Sequence, residues 1–491
     1  MITVAQHAAY LAVCAMLAFS LPHSALGNAQ GVLVVIGVIG IWRYGWATTN
    51  FLRAALFLNV VYPRRRARAE GAYNARTHPA HAYFLTTSYK IEAETTRRVY
   101  RSIFQAALNS PGGATIVASV VETADARLIQ RIFDTMPMAG SGVTLILDQI
   151  PGTGKRDALA RSLRLISRQS PSRRDVVIFV DGDSCVPEDI VARTAPFFTD
   201  PRVGALTTDE RVEIANAPMF RDWFALRFTQ RQMMMSSMGL SERVLTLTGR
   251  MSVFRADLAT TPDFIRLIQH DFIEHWRLGR VDFLTGDDKS TWFWLLRAGY
   301  RMVYLPDVAS VSMETQPRPG FVDSAVTLMI RWFGNMLRTN GRALALPARD
   351  IGYFTWWSLM DQRLAIWTTL AGPIGVLLTA LFIEPWVLPA YAAWVMFTRY
   401  VFCAVLSLFR GGGFPITYPF LLYFGQIVGA SVKSYVLFRL DRQRWTRQSG
   451  GRSGGFATAI GARMRGASSL FAHCLALGWL TFGIFFLTGI L

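Results

Sequence analysis

The stretch Val176–Ser184, with the sequence VVIFVDGDS, decides the fold of this chain. Its five apolar residues lead directly into Asp181, Gly182 and Asp183. A near-continuous apolar run predicts a strand that is buried on both faces of a parallel sheet. Ligands of open α/β sheets bind at the carboxyl ends of such strands. The sequence therefore predicts two carboxylates, one residue apart, at a ligand-binding edge.

Two interpretations of this Asp-Gly-Asp sequence are open. Carboxylate oxygens suit Mg²⁺ or Mn²⁺, and Mg²⁺ commonly joins one or two carboxylates to the phosphates of a substrate. The functional interpretation is therefore a site for a metal ion and a diphosphate. The alternative is an ordinary turn after a strand, because Asp-Gly is common turn chemistry.

Short β-rich runs and helical stretches alternate between about residues 70 and 349. Three β-rich runs precede VVIFV, and helix-like stretches at Ala124–Met136 and Arg156–Arg168 separate them. This alternation predicts an α/β domain with a mostly parallel sheet and helices on both faces. The three runs are Ala82–Ser88, Ala114–Val121 and Val143–Leu147. The residues expected on or beside the shared strand edge are Thr86, Thr87, Glu122, Gly154, Lys155, Asp181 and Asp183.

Lys155 lies in the glycine-containing sequence GTGKR at residues 152–156. A nucleotide-binding P-loop needs glycine where Gln149 stands, and serine or threonine where Arg156 stands, so that motif is excluded. A glycine loop that cradles phosphate, with lysine as a point charge, remains open. The alternative is a flexible turn that caps the following helix.

A second acidic pair, Asp287 and Asp288, occurs in the sequence TGDD at residues 285–288. The residues that follow, KSTWFWLLRAGY, are typical of a helix with an aromatic face. Adjacent acids at a helix start can cap the helix and complement its dipole. The functional alternative is a general base within hydrogen-bond reach of a nucleophilic hydroxyl.

Arg331 and Trp332 open the sequence RWFGN, close to the next apolar segment. Arginine pairs bidentately with a diphosphate, and tryptophan offers a flat face to a sugar ring. The alternative is an amphipathic helix lying on a bilayer, with both side chains at the headgroup level. Trp356 and Trp357, which follow in an aromatic-belt setting, favour that alternative locally.

The composition indicates membrane segments attached to a water-facing domain. Of the 491 residues 52% are hydrophobic and 17% are charged, and the mean hydropathy is +0.27. The formal charge of +18 indicates either the cytoplasmic basic excess of inner-membrane proteins or an anionic ligand. No recognised motif points to nucleic acid as a partner. The four cysteines are too far apart to predict a zinc site or a disulfide framework.

Apolar segments lie on both sides of the α/β domain. The basic run PRRRAR at residues 63–68 places the end of the first segments on the cytoplasmic side. Residues 441–466 contain six arginines and one acid, so we expect them in the cytoplasm and interpret Tyr418–Leu440 as an interfacial or re-entrant helix. The predicted segments are an N-terminal transmembrane helix pair (1–62), the α/β domain (63–350), interfacial and transmembrane helices (351–440), a basic cytoplasmic loop (441–467) and a C-terminal transmembrane helix (468–491).

Together, the DGD, TGDD and RW motifs resemble those of processive family 2 glycosyltransferases, the class of cellulose, chitin and hyaluronan synthases. The resemblance implies a cytoplasmic nucleotide-sugar transferase domain inserted between transmembrane helices. It implies that Asp181 contacts the nucleotide and that Asp183 binds Mg²⁺ or Mn²⁺ on the diphosphate. Asp288, beside Asp287, becomes the general base of a single in-line displacement with inversion. The further donor-binding residues are Thr87, Glu122, Lys155 and Arg331, and Trp332 is the acceptor-binding residue.

Two departures from the family pattern occur near the end of the chain. The glutamine of the family's Q-x-x-R-W motif is replaced by Leu328. Residues 444–447, with the sequence RWTR, are similar to the W-G-T-R gating loop of hyaluronan synthases, although the glycine is missing. This similarity implies a gating role for Trp445 and Arg447 and agrees with a cytoplasmic loop.

Six segments resemble the bacterial alginate-synthesis glycosyltransferases: VDGDSCVPEDIV, RVLTLTGRMSVFRA, HWRLG, FLTGDDKSTWF, RWFGNMLR and RLDRQRWTRQ. The resemblance implies GDP-mannuronic acid as donor and β-1,4-linked polymannuronate, an anionic polysaccharide, as product. It also implies an inner-membrane location, an envelope-spanning export complex and a separate co-polymerase subunit that binds cyclic-di-GMP. Arg331, Arg250 and His275 are candidates for binding the donor's carboxylate.

Three alternatives remain. One is a synthase of another exopolysaccharide of the cellulose or hyaluronan type. Another is a non-processive transferase that adds one sugar to a lipid carrier, which only the length of the product would separate from a polymerase. A transporter or structural membrane subunit is the third, but it leaves two acidic pairs in a large α/β domain unexplained.

Overall fold

The computed structural model describes residues 2–74, 78–443 and 456–489. An eight-stranded sheet with flanking helices forms the centre of the molecule, and long apolar helices precede and follow it. The α/β class expected from the sequence is confirmed.

The strands are numbered in chain order, and so are the helices. The strands are β1 (Ala82–Ser88), β2 (Ala114–Val120), β3 (Val143–Gln149), β4 (Val176–Asp181), β5 (Ser184–Cys185), β6 (Val203–Glu213), β7 (Met251–Arg255), β8 (Phe272–His275), β9 (Gly279–Asp282) and β10 (Arg301–Met313). The helices are α1 (Ile2–Phe19), α2 (His23–Asn28), α3 (Gln30–Leu56), α4 (Tyr62–Ala72), α5 (Ala93–Leu108), α6 (Thr123–Asp134), α7 (Lys155–Ser167), α8 (Ile190–Thr194), α9 (Pro218–Gly239), α10 (Ala256–Ala259), α11 (Pro262–Gln269), α12 (Asp287–Arg297), α13 (Phe321–Leu344), α14 (Ala348–Ile351), α15 (Tyr353–Phe382), α16 (Val387–Arg410), α17 (Tyr418–Leu437) and α18 (Phe456–Thr488). A π-helical turn at Phe57–Val61 joins α3 to α4, and a 3₁₀ turn at Ala195–Thr199 follows α8.

The sheet has the order β3-β2-β1-β4-β7-β6-β10-β5. Strands β1 to β4, β6 and β10 run in the same direction, whereas β7 and β5 are antiparallel to their neighbours. Thr87 of β1 is in register with Ser119 of β2 and with Asp181 of β4. The carboxyl ends of these three strands therefore lie side by side.

The four strands and two helices predicted around VVIFV agree with β1 to β4, α6 and α7. Strand β6 was not predicted from the sequence. Its run TTDER places polar side chains inside the sheet. Asp209 and Glu210 of this strand are buried. A charged group is buried only where another part of the chain supplies a partner for its charge. The apolar pattern of a strand therefore does not reveal a buried strand such as β6.

Within the described residues, five helical segments are long and apolar enough to cross a bilayer by length and composition. They are Gln30–Ala72, Tyr353–Phe382, Val387–Arg410, Tyr418–Leu437 and Gly461–Thr488. The shorter helix Val4–Phe19 is also apolar. The location of the predicted interfacial helix, now α17, stays a prediction.

The basic residues at 63–68 continue the helical segment that starts at Gln30. Two of them are held by acids of the α/β domain, since Arg65 pairs with Glu242 at 3.0 Å and Arg66 pairs with Asp307 at 2.7 Å. Helix α18 begins at Phe456, within the range predicted as a basic loop, and residues 444–455 of that range lie outside the described residues.

Helix α9 joins the sheet domain to the apolar helices. It packs against β6 on one side and against α3, α16 and α17 on the other. Its aromatic residues share a buried cluster with residues of α13 and α17. No motif in the sequence pointed to this helix, although the apolar helices α3, α16 and α17 pack against it.

A buried ion pair joins the same two parts. Arg410, at the end of α16, donates to Asp209 Oδ2 over 2.6 Å, and Tyr304 donates to Asp209 Oδ1 over 3.1 Å. Burial raises the pKa of Asp209, whereas Arg410 and Arg231 act against that rise. The carboxylate thus depends on cations from two different helices.

We predict that Arg410→Gln destabilises the protein by about 3–5 kcal/mol, because removal of one partner leaves the other charge buried. Thermal unfolding of the full chain in detergent measures the change. The double variant Asp209→Asn with Arg410→Gln should regain part of the loss. Arg349→Gln, which breaks an exposed pair with Asp350, is the control and should change the stability by less than about 1 kcal/mol. Equal effects of the two arginine variants would contradict the prediction.

Candidate active site

The carboxyl ends of β1, β2 and β4 form one wall of an open cavity, which we call the strand-edge cavity. It encloses about 810 Å³ with its mouth included, a size that suits a small ligand. Five residues expected at this edge line it together: Thr87, Gly154, Lys155, Asp181 and Asp183. Ser119, Gly152 and Gly182 line it as well.

Gly182, between the two aspartates, packs directly against the end of β1. A methyl group in place of its hydrogen would lie 2.9 Å from Thr87 O and 2.7 Å from Ser88 Oγ. Real Cβ atoms do not approach a backbone oxygen so closely, so only glycine fits there. The close contact fixes where Asp181 and Asp183 leave the sheet.

The second acidic pair lies beside the first. Asp287 and Asp288 open α12, and Gly286 before them has the left-handed conformation, with φ +84°. Lys155, the first residue of α7, lies between the pairs, because its Nζ is 2.7 Å from Asp181 Oδ1 and 3.0 Å from Asp287 Oδ2.

The four residues Lys155, Asp181, Asp287 and Asp288 line a second, small cavity, which we call the acidic cavity. Gly249 forms part of its wall. A methyl group there would lie 3.8 Å from Asp181 Oδ2 and 4.0 Å from Asp288 Cγ. The two acidic motifs, which are about a hundred residues apart in the chain, therefore face one point.

The electrostatic surroundings separate the pKa values of the two neighbouring aspartates. Burial would raise the pKa of Asp287, but Lys155 and Arg156 hold it below its usual value. Burial and the charge of Asp287 raise the pKa of Asp288 to about 6. Burial would lower the pKa of Lys155, but Asp181 and Asp287 outweigh it and raise that pKa. The pKa values of the two adjacent aspartates are thus pushed in opposite directions, an arrangement that suits one group that exchanges a proton beside one that stays ionised.

Arg156 holds the TGDD loop from the side of α7. Its guanidinium donates to Thr285 O over 3.2 Å, to Ser290 Oγ over 2.8 Å and to Ile268 O over 2.9 Å. Ser290 in turn donates to Asp271, which also pairs with Arg342. The residue next to Lys155 therefore fixes the backbone that carries Asp287 and Asp288.

Asn335 holds the same loop from the side of α13. Its Oδ1 accepts from Thr285 Oγ1 over 2.6 Å and from Arg338 over 2.5 Å. A side chain at Gly286 would meet Asn335 Cγ at 2.9 Å, so the loop and the helix are in close contact. Arg331, Asn335 and Arg338 lie on one face of α13, since their spacing is that of successive helical turns.

Arg331 lies within electrostatic range of Glu314, Asp181 and Asp183, and burial lowers its pKa. Its neighbour Trp332 stacks on Trp223 of α9, with ring centroids 5.7 Å apart and an interplanar angle of 17°. Both residues of the RW motif therefore interact with other parts of the protein, which an amphipathic helix lying on a bilayer would not require.

The other residues named from the sequence are less closely connected to these cavities. Glu122 precedes α6 at the strand edge, without a side-chain hydrogen bond to the helix, and is not among the residues that line either cavity. Arg250 is engaged by Glu314 at 2.6 Å and by Glu210 at 3.4 Å. His275 ends β8, and its Nδ1 accepts from the backbone of Arg277. Trp445 and Arg447 lie outside the described residues.

Three residues of the site were missed in the sequence: Arg156, Gly249 and Asn335. Each lies in a segment quoted for its motif, and Arg156 and Gly249 directly neighbour Lys155 and Arg250. Membership in these segments was the available signal, but arginine, glycine and asparagine have many uses, and the partners of these three residues are distant in the chain.

Among the described residues, no group of three or more His, Cys, Asp or Glu side chains is arranged to hold a metal ion. A Mg²⁺ ion bound to substrate phosphates needs only one or two protein carboxylates. The oxygen ligands Asp181 and Asp183 at the strand-edge cavity fit that chemistry.

Comparison with known proteins gives a consistent picture. A family model described as glycosyltransferase like family 2 matches residues 79–335. The chain is 43% identical over 443 residues to Glycosyltransferase alg8 of Pseudomonas syringae pv. tomato, and the match covers 89% of both chains. It is 42% identical to Glycosyltransferase alg8 of Azotobacter vinelandii over 443 residues, again 89% of both chains.

A solved structure with a lower likeness is the mannosyltransferase PcManGT from Pyrobaculum calidifontis in complex with GDP-Man and Mn²⁺. It is 18% identical, with a TM-score of 0.46, and the match covers 82% of this chain and 98% of that one. Because the TM-score is below 0.5, this likeness does not bear on the substrate or the metal of the present chain.

We predict that Gly182→Ala weakens nucleoside diphosphate binding at least about tenfold, because the added methyl overlaps Thr87 O and displaces both aspartates. Titration calorimetry of the full chain with GDP and UDP, with Mg²⁺ present, measures the change. Gly152→Ala in the same cavity is the matched control, because its methyl would meet only Val121 Cγ1 at 3.7 Å. Equal affinities of the two variants would contradict the prediction.

Proposed function

The chain belongs to the family 2 glycosyltransferases and is a nucleotide-sugar glycosyltransferase, and from this premise we propose that it polymerises GDP-mannuronic acid into β-1,4-linked polymannuronate. The proposed enzyme is processive and inverts the configuration of the sugar. Its product would be the precursor of alginate.

One observation carries the proposal for the reaction. Lys155 bridges Asp181 of the DGD motif and Asp287 of the TGDD motif, and Asp288 lies in the same acidic cavity. In such a reaction, the group that binds the leaving diphosphate must lie on one side of the reacting carbon, and the base that activates the acceptor must lie on the other. The proximity of the two motifs supports this arrangement.

On the acceptor side, Asp288 takes the proton of the terminal hydroxyl of the growing chain. The hydroxyl oxygen attacks the anomeric carbon as the bond from that carbon to the diphosphate oxygen breaks, and GDP leaves. Asp287, held ionised by Lys155 and Arg156, raises the basicity of Asp288 and takes no proton itself. Trp332 contacts the acceptor sugar.

On the donor side, the nucleotide occupies the strand-edge cavity, with Thr87 and Asp181 beside it. Asp183 would hold Mg²⁺ or Mn²⁺, which supplies positive charge to the leaving diphosphate. Arg331 adds charge from α13. Preorganised charges of this kind contribute about 3 kcal/mol each to stabilisation of a transition state.

The donor and the product are supported by similarity. Six segments of the sequence resemble alginate-synthesis glycosyltransferases, and the relatives with 42–43% identity are named Glycosyltransferase alg8. The five long apolar helical segments among the described residues support a multi-pass membrane protein. A place in the bacterial inner membrane, with the catalytic domain in the cytoplasm, is part of the same proposal. A cyclic-di-GMP-binding co-polymerase and an export complex belong to the same proposal.

Product analysis tests the proposed function. Membranes from cells that produce the protein, with cyclic-di-GMP added, are incubated in turn with GDP-mannuronate, GDP-mannose, UDP-glucose and UDP-glucuronate, and the products are sized. We expect a long polymer from GDP-mannuronate alone. A product of one added sugar, or a polymer from another donor, would refute the proposal.

We expect Asp288→Asn to lower the polymerisation rate by about 10²–10⁴-fold, the usual contribution of a general base, with GDP binding retained. Initial rates and calorimetry measure the two quantities. Asp263→Asn, an exposed acid on α11, is the control and should leave both unchanged. Normal polymerisation by Asp288→Asn would exclude this residue as the base.

The pH dependence follows from the raised pKa of Asp288, about 6. The base acts in its deprotonated form, so the rate at saturating donor should be constant above that value and fall about tenfold for each pH unit below it. Asp287, with its lowered pKa, stays ionised over this range. A rate that is unchanged between about pH 5 and 8 would contradict the assignment.

A further inference from the structure

Two cationic side chains lie behind the RW motif without a carboxylate beside them. The guanidinium carbon of Arg227, on α9, lies 4.8 Å from the ring centroid of Trp332 and 5.2 Å from that of Trp223. The ammonium nitrogen of Lys433, on α17, lies 4.7 Å from the ring centroid of Phe333. Within the part of the chain that the structure describes, neither cation has a carboxylate oxygen within 4.0 Å or a hydrogen bond to protein.

Other cations of the same region are paired. Each of four arginines around the acidic cavity and the apolar helices contacts a carboxylate at 2.5 or 2.6 Å. The four pairs are Arg43–Asp361, Arg250–Glu314, Arg342–Asp271 and Arg410–Asp209. These four arginines have a carboxylate in direct contact, whereas Arg227 and Lys433 have none among the described residues. Asp361, which pairs with Arg43, is the acid within electrostatic range of Lys433.

A buried cation without a partner is costly, and the aromatic rings offset only part of this cost. Burial, together with the like charge of Arg250, lowers the pKa of Arg227 to about 10, so this side chain is still charged at neutral pH. An ionisable side chain among apolar helices without an internal partner points to a ligand of opposite charge. Both side chains are half-buried, so part of each remains exposed.

Arg227 and Lys433 belong to a row of neighbouring cationic side chains that begins near the active site with Arg250. Arg227 lies within electrostatic range of Arg250, and Lys433 lies within range of Arg227 and Arg43. Trp332, which contacts Arg227, is the proposed acceptor-binding residue. The row therefore leads from the acceptor side of the reaction into the apolar helices.

We propose that Arg227 and Lys433 form a subsite that binds the carboxylates of the acceptor polymer beyond Trp332. The subsite rests on the proposed function, because a polyuronate carries one carboxylate on every sugar. Arg227 offers a planar pair of donors, and Lys433 offers a point charge. A neutral polymer would leave both cations unpaired, so the subsite selects the acidic product.

Oligosaccharide binding tests this inference. The affinity of the full chain in detergent is measured for β-1,4-linked mannuronate oligomers and for the same oligomers with their carboxyl groups reduced to alcohols. We expect the wild-type protein to prefer the acidic oligomer by at least about tenfold, with a preference that declines as salt is added. Arg227→Gln and Lys433→Gln should each lose most of this preference and keep their affinity for GDP.

Conservative and matched variants complete the design. Lys433→Arg retains the charge and should retain the preference. Arg53→Gln is the matched control. Arg53 lies on α3, has no carboxylate contact among the described residues, and donates to Ser237 O and Ser241 Oγ. The variant should keep the preference for the acidic oligomer.

The outcomes separate this inference from the proposed function. A wild-type protein that makes polymannuronate but binds both oligomers equally, or glutamine variants that keep the preference, would overturn the subsite and leave the function intact. If the protein polymerises a different acidic sugar, and both glutamine variants lose a clear preference for the acidic oligomer, the subsite is supported and the proposed donor, GDP-mannuronic acid, is refuted. If a glutamine variant fails to bind GDP, the salt dependence of the wild-type preference decides, and its absence overturns the subsite.

Discussion

The ammonium group of Lys155 is the contact on which the rest of the site depends. Three carboxylates, those of Asp181, Asp287 and Asp288, line one small cavity, and like charges so close together oppose ionisation of one another. Lys155 contacts two of them, Asp181 and Asp287, and lowers the pKa of Asp287. Asp288 has no such contact with Lys155, and burial together with the charge of Asp287 raises its pKa to about 6. The position of one cation thus separates the pKa values of two adjacent aspartates.

The sequence was sufficient to predict the sheet edge and the residues that reach it. The run VVIFV in front of Asp181 has one plausible structure, and the alternation of β-rich runs with helices sets the direction of β1 to β4. Strand direction then brings Thr87, Lys155 and Asp183 to one cavity without any knowledge of their contacts. These predictions succeeded because they depend on local periodicity and on the topology of parallel sheets.

What the sequence did not reveal depends on pairs of distant residues. No pattern shows that Lys155 lies between Asp181 and Asp287, or that Asn335 holds Thr285. The polar run TTDER of β6 is not recognisable as a buried strand, because the arginines that make burial of its acids possible come from α9, from the residue before β7 and from α16. Residues with several possible uses, such as Arg156, are assigned only when the tertiary structure supplies the partner.

Helix α13 connects the two acidic motifs to the apolar helices. It carries Arg331 within electrostatic range of Asp181 and Asp183, Trp332 against α9, and Asn335 on the TGDD loop, while Arg338 also donates to Leu440 O past the end of α17. One residue of a helix corresponds to about 1.5 Å along its axis, so a shift of α13 by one residue would displace all of these groups together. A movement at the end of α17 would therefore alter the surroundings of both acidic motifs at the same time.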